Sequence, residues 1–363
     1  MNESHDRHGG DATLRPLDAA VTLQLADPEW QAFVDRRPDA LPFHLPGWVA
    51  TVAGAYGLRA FVIVVRDPSG AIAAGVPVVE TRPPLRRKRW VSLPFTDLCP
   101  PLAATPGDAL RLVDALDAAR AASGASRWEA RGPLPAGVPF EDAGYRHVLR
   151  LGPDASAVFA GFHRSQVQRN IRKAEANDLV LRVGTTQDDL LDDFYRLHLD
   201  TRRRLGVPIQ PRRFFTLLRE RVLRSGIGWI VTVESEGRAI ASALFLAANE
   251  TVVYKYGASD ADAWRLRPNH LLFWHAIRTA CESGYAAFDF GRSDADADGL
   301  RAFKASWGAD EERLIYHAIG DATAMPASAP GPGLATRSLA TVIRRSPPWV
   351  CRWTGELLYR FVA

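Results

Sequence analysis

The amino-acid sequence predicts a mixed α/β fold in which helices cover a central sheet, and two observations indicate that this fold occurs twice along the chain. The first is a pair of matching hairpin patterns, FVIVVRDPSGAIAAGVPVVE from Phe61 to Glu80 and WIVTVESEGRAIASALFLAA from Trp229 to Ala248. Alternating apolar residues on both sides of a short turn are typical of two antiparallel strands. Each copy of the fold is therefore expected to contain a hairpin at its centre.

The second observation is the order of elements after each hairpin, where a helical pattern, a glycine and another strand follow. The two segments are DALDAARAASGASRWEARG, with its break at Gly124, and FWHAIRTACESGYAAFDFGR, with its break at Gly284. Glycine suits the left-handed residue that ends a helix before the chain re-enters a sheet. Two matching pairs in the same order indicate an internal duplication.

Helical patterns also precede each hairpin, at 30–56 and at 188–224, with a break near Gly206 in the second. A stretch rich in Ala, Pro and Gly follows the second copy and is typical of a linker. The expected organisation is a flexible N-terminus at 1–19, domains at 20–152 and 153–320, a linker at 321–342 and an amphipathic C-terminal segment at 343–363.

Composition places limits on location and partners. The 363 residues include 45 basic and 41 acidic side chains, a narrow excess that predicts no DNA partner. The three cysteines, Cys99, Cys281 and Cys351, are too scattered for a disulfide framework or a thiolate metal site. The first residues lack the apolar core of a signal peptide, and no run is long enough to span a bilayer. These features predict a cytoplasmic protein.

Several segments of the second half carry a resemblance to a known family. They are QRNIRKAEANDLVLRVG, VVYKYGASD, PNHLLFWHAIRTACESGYAAFDFGRS and GLRAFKASWGAD, which begin at Gln168, Val252, Pro268 and Gly299. SLPFTDLCPPL, from Ser92, is the matching landmark in the first half. Together they resemble the FemAB-like and CelD-like acyltransferases, which are built from two tandem GNAT-like domains. The resemblance covers about 30–320.

The resemblance implies an N-acyltransferase whose second domain holds the reaction cleft. In that family an acyl or aminoacyl group moves from an activated carrier, an acyl-CoA or an aminoacyl-tRNA, to a primary amine. The acceptor is a cell-envelope precursor of peptidoglycan or exopolysaccharide. The resemblance therefore implies no tightly bound cofactor and an enzyme that works in the cytoplasm, at the inner face of the membrane.

In GNAT folds two neighbouring parallel strands part at their ends, and the freed backbone N–H groups bind the carbonyl oxygen of the acyl group. The matching strands here are expected at 251–256 and 286–290. This arrangement would place Tyr254, Tyr256 and Asp289 beside the reacting carbonyl. Tyr256 and Asp289 are catalytic candidates, with Asp289 orienting the amine or accepting its proton, or serving instead as a structural partner of an arginine such as Arg292.

Lys304 is the first candidate for a catalytic side chain. It matches the family's lysine in an aromatic-Lys-x-x-aromatic-Gly segment, here Phe303-Lys304 to Trp307-Gly308. An ammonium there can stabilise developing negative charge or hold a substrate phosphate. The alternative is a surface lysine between two buried aromatic residues. Arg292 and Trp307 are taken as substrate-binding candidates beside it.

Basic side chains predict where phosphates bind. Arg169, Arg172 and Lys173 lie at neighbouring positions of one predicted helix and suit a substrate phosphate, although a solvated helix face has the same pattern. The donor's phosphates would lie between the parting strand and the next helix. That segment, ASDADAWRLRPNHLL, lacks the glycines of a CoA-binding loop. Arg265 and Arg267, with Asn269, are therefore the predicted donor-binding residues.

An aspartate run beside the lysine suggests a calcium loop but does not satisfy its pattern. Asp294, Asp296, Asp298 and Gly299 fit the first, third, fifth and sixth positions, whereas the twelfth, which should be glutamate, is Ala305. The preceding FDFG also indicates a strand where a calcium loop follows a helix. We therefore predict no metal site.

Two functional alternatives remain open. One is an acyl-CoA-dependent N-acetyltransferase that acts on an amino sugar, and the other is a non-catalytic protein that binds RNA or anionic lipid on the same fold. The C-terminal segment mixes tryptophans with arginines, a composition that suits either a peripheral membrane contact or a contact with the protein's own core.

Overall fold

The computed structural model describes residues 20–82, 87–135, 137–184, 188–321 and 334–362. The N-terminus predicted to be flexible and residues 322–333 of the predicted linker lie outside this range. The strands are β1 Val21–Leu23, β2 Arg59–Arg66, β3 Ile72–Thr81, β4 Arg89–Val91, β5 Leu102–Ala103, β6 Arg127–Ala130, β7 Phe140–Arg150, β8 Leu179–Gly184, β9 Gly228–Ser235, β10 Arg238–Ala248, β11 Thr251–Ser259, β12 Ala287–Ser293 and β13 Asp310–Gly320.

The α-helices surround these strands, and short π-helical turns at 164–168, 188–194 and 219–223 extend several of them. The helices are α1 Pro28–Asp35, α2 Pro46–Tyr56, α3 Pro106–Ser123, α4 Ala155–Gly161, α5 Arg169–Glu175, α6 Tyr195–Leu205, α7 Arg212–Leu218, α8 Pro268–Glu282, α9 Asp298–Ala305, α10 Leu334–Arg345 and α11 Pro348–Val362.

The thirteen strands of the described residues belong to one mixed sheet in the order β1-β2-β3-β4-β6-β13-β7-β12-β11-β10-β9-β8, with β5 paired to β3. The predicted unit occurs twice. The hairpins β2–β3 and β9–β10 are antiparallel, and the strand after each, β4 or β11, pairs in parallel with the strand beyond the next helix, β6 or β12. The predicted mixed α/β class is confirmed.

The two copies share their last strands. β7, which ends the first copy in sequence, pairs with β12 of the second, and β13, which ends the second copy, lies between β7 and β6. Strand pairing therefore crosses the predicted boundary at 152/153, and the sheet is continuous across both copies.

Glycines end the helices where the sequence predicts. Gly124 follows α3 with φ of 75° and Gly206 follows α6 with φ of 76°. Gly284, with φ of 80°, follows the last residues of α8. These left-handed conformations, which a side chain disfavours, turn the chain back toward the sheet.

The sheet has a different core on each face of the second copy. On the first face α2, α6 and α7 bury Trp48, Phe214 and Phe215. On the second face α5 and α8 pack on Phe245 and Phe288. Alternate residues of one strand face opposite cores, so each strand supplies side chains to two separate environments.

The C-terminal segment docks on the protein's own core, since α10 and α11 pack against α6. The Tyr359 ring stacks on Tyr56 with centroids 5.5 Å apart. Within the described ranges, none of the helices combines the length and the apolarity needed to cross a membrane.

Candidate active site

A cleft opens where β11 and β12 part. Their parallel ladder contains three residue pairs, from Thr251 opposite Ala287 to Val253 opposite Asp289. Beyond this point lies a cleft of about 390 Å³, lined by residues of β10, β11, β12, α6, α8 and α9. The parting of two parallel strands predicted from the resemblance is therefore present at the expected residues.

Lys304 lines this cleft from α9 and is almost wholly buried, with 4% of its surface exposed. Its Nζ donates hydrogen bonds to the backbone oxygens of Gly291 at 2.8 Å and Arg292 at 2.9 Å. Burial lowers the pKa of Lys304 to about 8, while the carboxylates of Asp289 and Asp97 oppose that change. The ammonium thus holds the end of β12 in place at the wall of the cleft.

An aromatic cluster packs around Trp307, just after the helix that carries Lys304. Trp307 is fully buried and stacks on His270 with ring centroids 5.8 Å apart, and Phe273 and Phe290 contact the same indole. Burial lowers the pKa of His270 to about 4, so this imidazole is neutral near pH 7. Trp307 does not line the cleft; it supports the helix that carries Lys304.

Tyr254 lines the opposite wall of the cleft. Its ring lies 4.8 Å from that of Phe273 and folds along its own strand over Gly257, where a Cβ would be 2.0 Å from the Tyr254 Oη. Burial raises the pKa of Tyr254 to about 12, so the phenol keeps its proton. A glycine at 257 is therefore required for this placement of the phenol.

Tyr256 lies on the other face of the sheet because β11 contains a bulge. Leu244 of β10 pairs with Tyr256 and Phe245 pairs with Tyr254, which leaves Lys255 without an opposite residue. The Tyr256 ring contacts Phe214 in the first-face core. Burial raises its pKa. Tyr256 therefore does not line the cleft with Tyr254 and Lys304. Its predicted catalytic role stays a prediction.

Asp289 also points to the first face and is 3% exposed. Its carboxylate accepts a hydrogen bond from Arg146 Nε at 2.7 Å and another from the Gly291 backbone N–H at 2.7 Å. Arg292, the arginine predicted to pair with Asp289, instead pairs with Asp294 at 2.6 Å. Asp289 therefore shapes the bend of β12 from the side opposite the cleft.

The loop that contains SLPFTDLCPPL borders this first-face side, and none of its residues was predicted to be functional. Phe95 has φ of 58°, an uncommon conformation for a bulky residue. Lys255 Nζ lies 3.4 Å from the Phe95 backbone oxygen and 3.8 Å from Asp97 Oδ2, and Tyr316 Oη donates to the Asp97 backbone oxygen at 2.7 Å. Asp97 and Lys255 are thus polar groups beside the strand ends, detectable in sequence only through the landmark motif.

The predicted donor-binding residues divide between two positions. Arg267 and Asn269 line the cleft at the start of α8, where Arg267 has a left-handed backbone with φ of 62°. The Asn269 side chain donates to Ser259 Oγ at 3.3 Å. Arg265 is exposed and does not line the cleft. A helix N-terminus attracts anions, so this end of the cleft suits a phosphate.

The predicted phosphate-binding residues of α5 lie outside the cleft lining. Arg169 and Lys173 are exposed, while the guanidinium of Arg172 lies over the Phe159 ring at 5.6 Å. The role predicted for these three residues stays a prediction.

Two aspartates of the run lie beside arginines: Arg292 pairs with Asp294, and Arg301 lies 3.5 Å from Asp298. Among the residues that the structure describes, no cluster of three or more His, Cys, Asp or Glu side chains has a geometry that could hold a metal ion.

Comparison with known proteins shows which domain family the second half of the chain matches and which solved structures share its fold. Residues 161–304, a range that ends at Lys304, match the acetyltransferase (GNAT) domain family. The chain is also similar to the crystal structure of FemX, with a TM-score of 0.66 and 15% identity over 82% of this chain and 96% of that one. A second solved structure, the C-terminal domain (DUF2156) of a putative lysylphosphatidylglycerol synthetase from Agrobacterium fabrum, has a TM-score of 0.55 and 16% identity over 87% and 96% of the two chains.

Among curated proteins, the lipid II:glycine glycyltransferase of Staphylococcus epidermidis is 36% identical over 92 residues, 24% of this chain and 22% of that protein. The chain therefore spans about a fifth of the length of this relative. These matches confirm the resemblance to FemAB-like acyltransferases.

Proposed function

We propose that the protein is an N-acyltransferase of the Fem/CelD type that moves an acyl or aminoacyl group from an activated carrier to a primary amine on a cell-envelope precursor. The observation that carries this proposal is the buried Lys304 ammonium at the wall of a cleft between two parting parallel strands. The relatives named lipid II:glycine glycyltransferase support a peptidoglycan precursor as the acceptor; an exopolysaccharide precursor is the alternative acceptor.

The transfer forms one bond and breaks another. The amine nitrogen attacks the acyl carbon, the C–N bond forms, and the C–O bond of an ester or the C–S bond of a thioester breaks. The amine loses a proton, and the departing alkoxide or thiolate takes one up to become a hydroxyl or a thiol. Negative charge develops on the acyl oxygen, and in this proposal the backbone of the parted strands and the Lys304 ammonium stabilise it.

We propose that the donor binds without any tightly bound cofactor, with its phosphates at the start of α8 beside Arg267 and Asn269. Both an acyl-CoA and an aminoacyl-tRNA carry phosphates that suit this position. An acyl-CoA-dependent N-acetyltransferase of an amino sugar is the second candidate, favoured by the helix N-terminus at the cleft. We propose that the reaction takes place in the cytoplasm, with a peripheral membrane contact through residues 343–363.

Thermal unfolding in the presence of each carrier tests the proposal. A ligand that binds only the folded protein raises its melting temperature, so acetyl-CoA, a longer acyl-CoA and aminoacyl-tRNA are compared, with transfer to an amine acceptor followed by mass spectrometry. Stabilisation by one carrier and a new amide product support the proposal.

Binding of RNA or vesicles that falls steeply with salt, with no amide product from any carrier, would instead indicate a non-catalytic binding protein. Arg169, Arg172 and Lys173 are the residues whose substitution should then weaken binding.

A further inference from the structure

The C-terminal helix α11 is fixed to the protein along one face. At Gly355 a Cβ would lie 1.9 Å from the Ile209 backbone oxygen, so the helix backbone is in direct contact with that segment. Tyr359 Oη accepts a hydrogen bond from Arg202 at 2.9 Å, and Cys351 is fully buried. The position of α11 on the protein is therefore well defined.

The opposite face of α11 presents large apolar side chains to solvent. Trp349 is 57% exposed, Trp353 is 65% exposed and Leu357 is 49% exposed. Residues four apart lie one above another on a helix, so these three side chains form a single row, which we call the apolar row. Isolated exposed apolar residues are ordinary, but a continuous row that contains two tryptophans marks an interaction surface.

The charged residues around the apolar row indicate which kind of partner it binds. Between Leu334 and Ala363 the sequence contains five arginines and one glutamate. Arg344 and Arg345 are exposed in the last turn of α10, and Arg352 lies between the two tryptophans in sequence. The one carboxylate, Glu356, accepts a hydrogen bond from the Arg212 backbone N–H at 3.1 Å. Tryptophan and arginine together are typical of a helix that lies in the interface of an anionic bilayer.

We propose that α11 and the end of α10 dock the protein on an anionic phospholipid surface, with the apolar row in the headgroup region and the arginines against lipid phosphates. This inference rests on the proposed function in one respect, because it identifies the acceptor as a lipid-linked precursor at the membrane. The composition of the C-terminal segment is compatible with two contacts, one with a membrane and one with the protein's own core. In the structure the inner face meets the core, and the outer face is available to lipid.

The docked helix also contacts the loop on the first-face side of the strand ends. The Tyr359 ring lies 5.4 Å from that of Phe95, whose backbone oxygen accepts from Lys255. Docking through Trp353 would therefore bring the loop beside the strand ends close to the bilayer. A lipid-linked amine could then approach from the first face while its lipid anchor stays in the membrane.

Flotation of the full chain with vesicles tests this inference. Vesicles of phosphatidylcholine with added phosphatidylglycerol are compared with pure phosphatidylcholine, for the wild type and for the variant Trp349→Ser/Trp353→Ser/Leu357→Ser. The matched control is Val180→Ser/Val183→Ser, which removes two residues that are 59% and 51% exposed on β8.

We expect binding to the anionic vesicles to fall about tenfold or more in the triple variant, because membrane affinity scales with buried apolar area. The control should bind as the wild type does. Arg344→Gln/Arg345→Gln should weaken binding to anionic vesicles and reduce its dependence on salt.

Three results would overturn the inference: no wild-type binding to either vesicle, equal binding by the triple variant, or a concentration-dependent dimer that the triple variant abolishes, which would assign the row to a second copy. Vesicle binding needs no substrate, so it is independent of transfer. Transfer to a short, water-soluble amine acceptor should be unchanged in the triple variant. If neither protein transfers and docking is still lost, the proposed activity fails while the docking surface stands.

Discussion

Replacement of Lys304 by methionine separates a contribution to stability from a contribution to function. Burial lowers the pKa of Lys304 from its ordinary 10.5 to about 8. At about 1.4 kcal/mol per pKa unit, keeping this lysine charged in the folded chain costs about 3 kcal/mol near pH 7. The two hydrogen bonds to Gly291 and Arg292 act in the other direction, at about 1.5–3 kcal/mol each.

The two hydrogen bonds together match or exceed this cost, so we expect Lys304→Met to lower the free energy of unfolding by no more than about 3 kcal/mol. The loss of a charge that stabilises the acyl oxygen should lower the transfer rate by about 100-fold. Calorimetry and a rate assay with the identified carrier measure the two effects. Lys88→Met is the control, because Lys88 pairs with Glu80 in the first copy, away from the cleft. Full transfer activity in Lys304→Met would refute the role given to this ammonium.

The lowered pKa of Lys304 also determines how stability and transfer rate depend on pH. The folded-state pKa of Lys304 lies below the unfolded value, so the destabilisation is complete below about pH 8 and disappears as the pH rises toward 10.5. The transfer rate should have the opposite trend, because the ammonium loses its proton as the pH passes about 8. A rate that keeps rising above pH 9 would show that a neutral Lys304 suffices.

Three further predictions concern the neighbouring residues. Arg146→Leu leaves the buried Asp289 carboxylate without its guanidinium and should reduce the free energy of unfolding by about 3 kcal/mol in urea titrations; a loss below about 1 kcal/mol would contradict the importance of this pair. Gly257→Ala displaces the Tyr254 phenol into the cleft and should weaken donor binding about tenfold, whereas Gly152→Ala, with open space around it, should leave donor binding unchanged. Addition of millimolar calcium should not raise the melting temperature, since Asp294 and Asp298 are paired with arginines and the run lacks a twelfth-position glutamate; an increase with calcium would contradict the prediction of no metal site.

Local patterns predicted the repeated unit, and the resemblance to FemAB-like and CelD-like acyltransferases predicted the position of the cleft. The alternation of 61–80 and 229–248 determines the hairpins, and Gly124 and Gly284 end the helices as expected. The segment from Phe303 to Gly308 matches the family's lysine motif, and in the structure Lys304 bonds to the backbone at the end of β12. Each of these features depends on residues within one short segment.

Features that depend on distant residues were not predictable. Asp289 pairs with Arg146, which lies 143 positions away, so its partner could not be found from its neighbours in sequence. Tyr256 faces away from the cleft because a bulge at Lys255 shifts the alternation of β11. Nothing in the sequence of β11 reveals that bulge, since it is defined only by the register with β10.

Because the two copies share β7 and β13, the order in which the sheet can fold is restricted. During synthesis β6 emerges early, but the strand that covers its edge, β13, is completed only at Gly320. Until then the first copy exposes an unpaired strand edge, a feature that promotes association with other chains. The first copy therefore cannot complete its share of the sheet before the second has been made. A gene fragment that ends at residue 152 would encode β7 without either of its partners and β6 without β13.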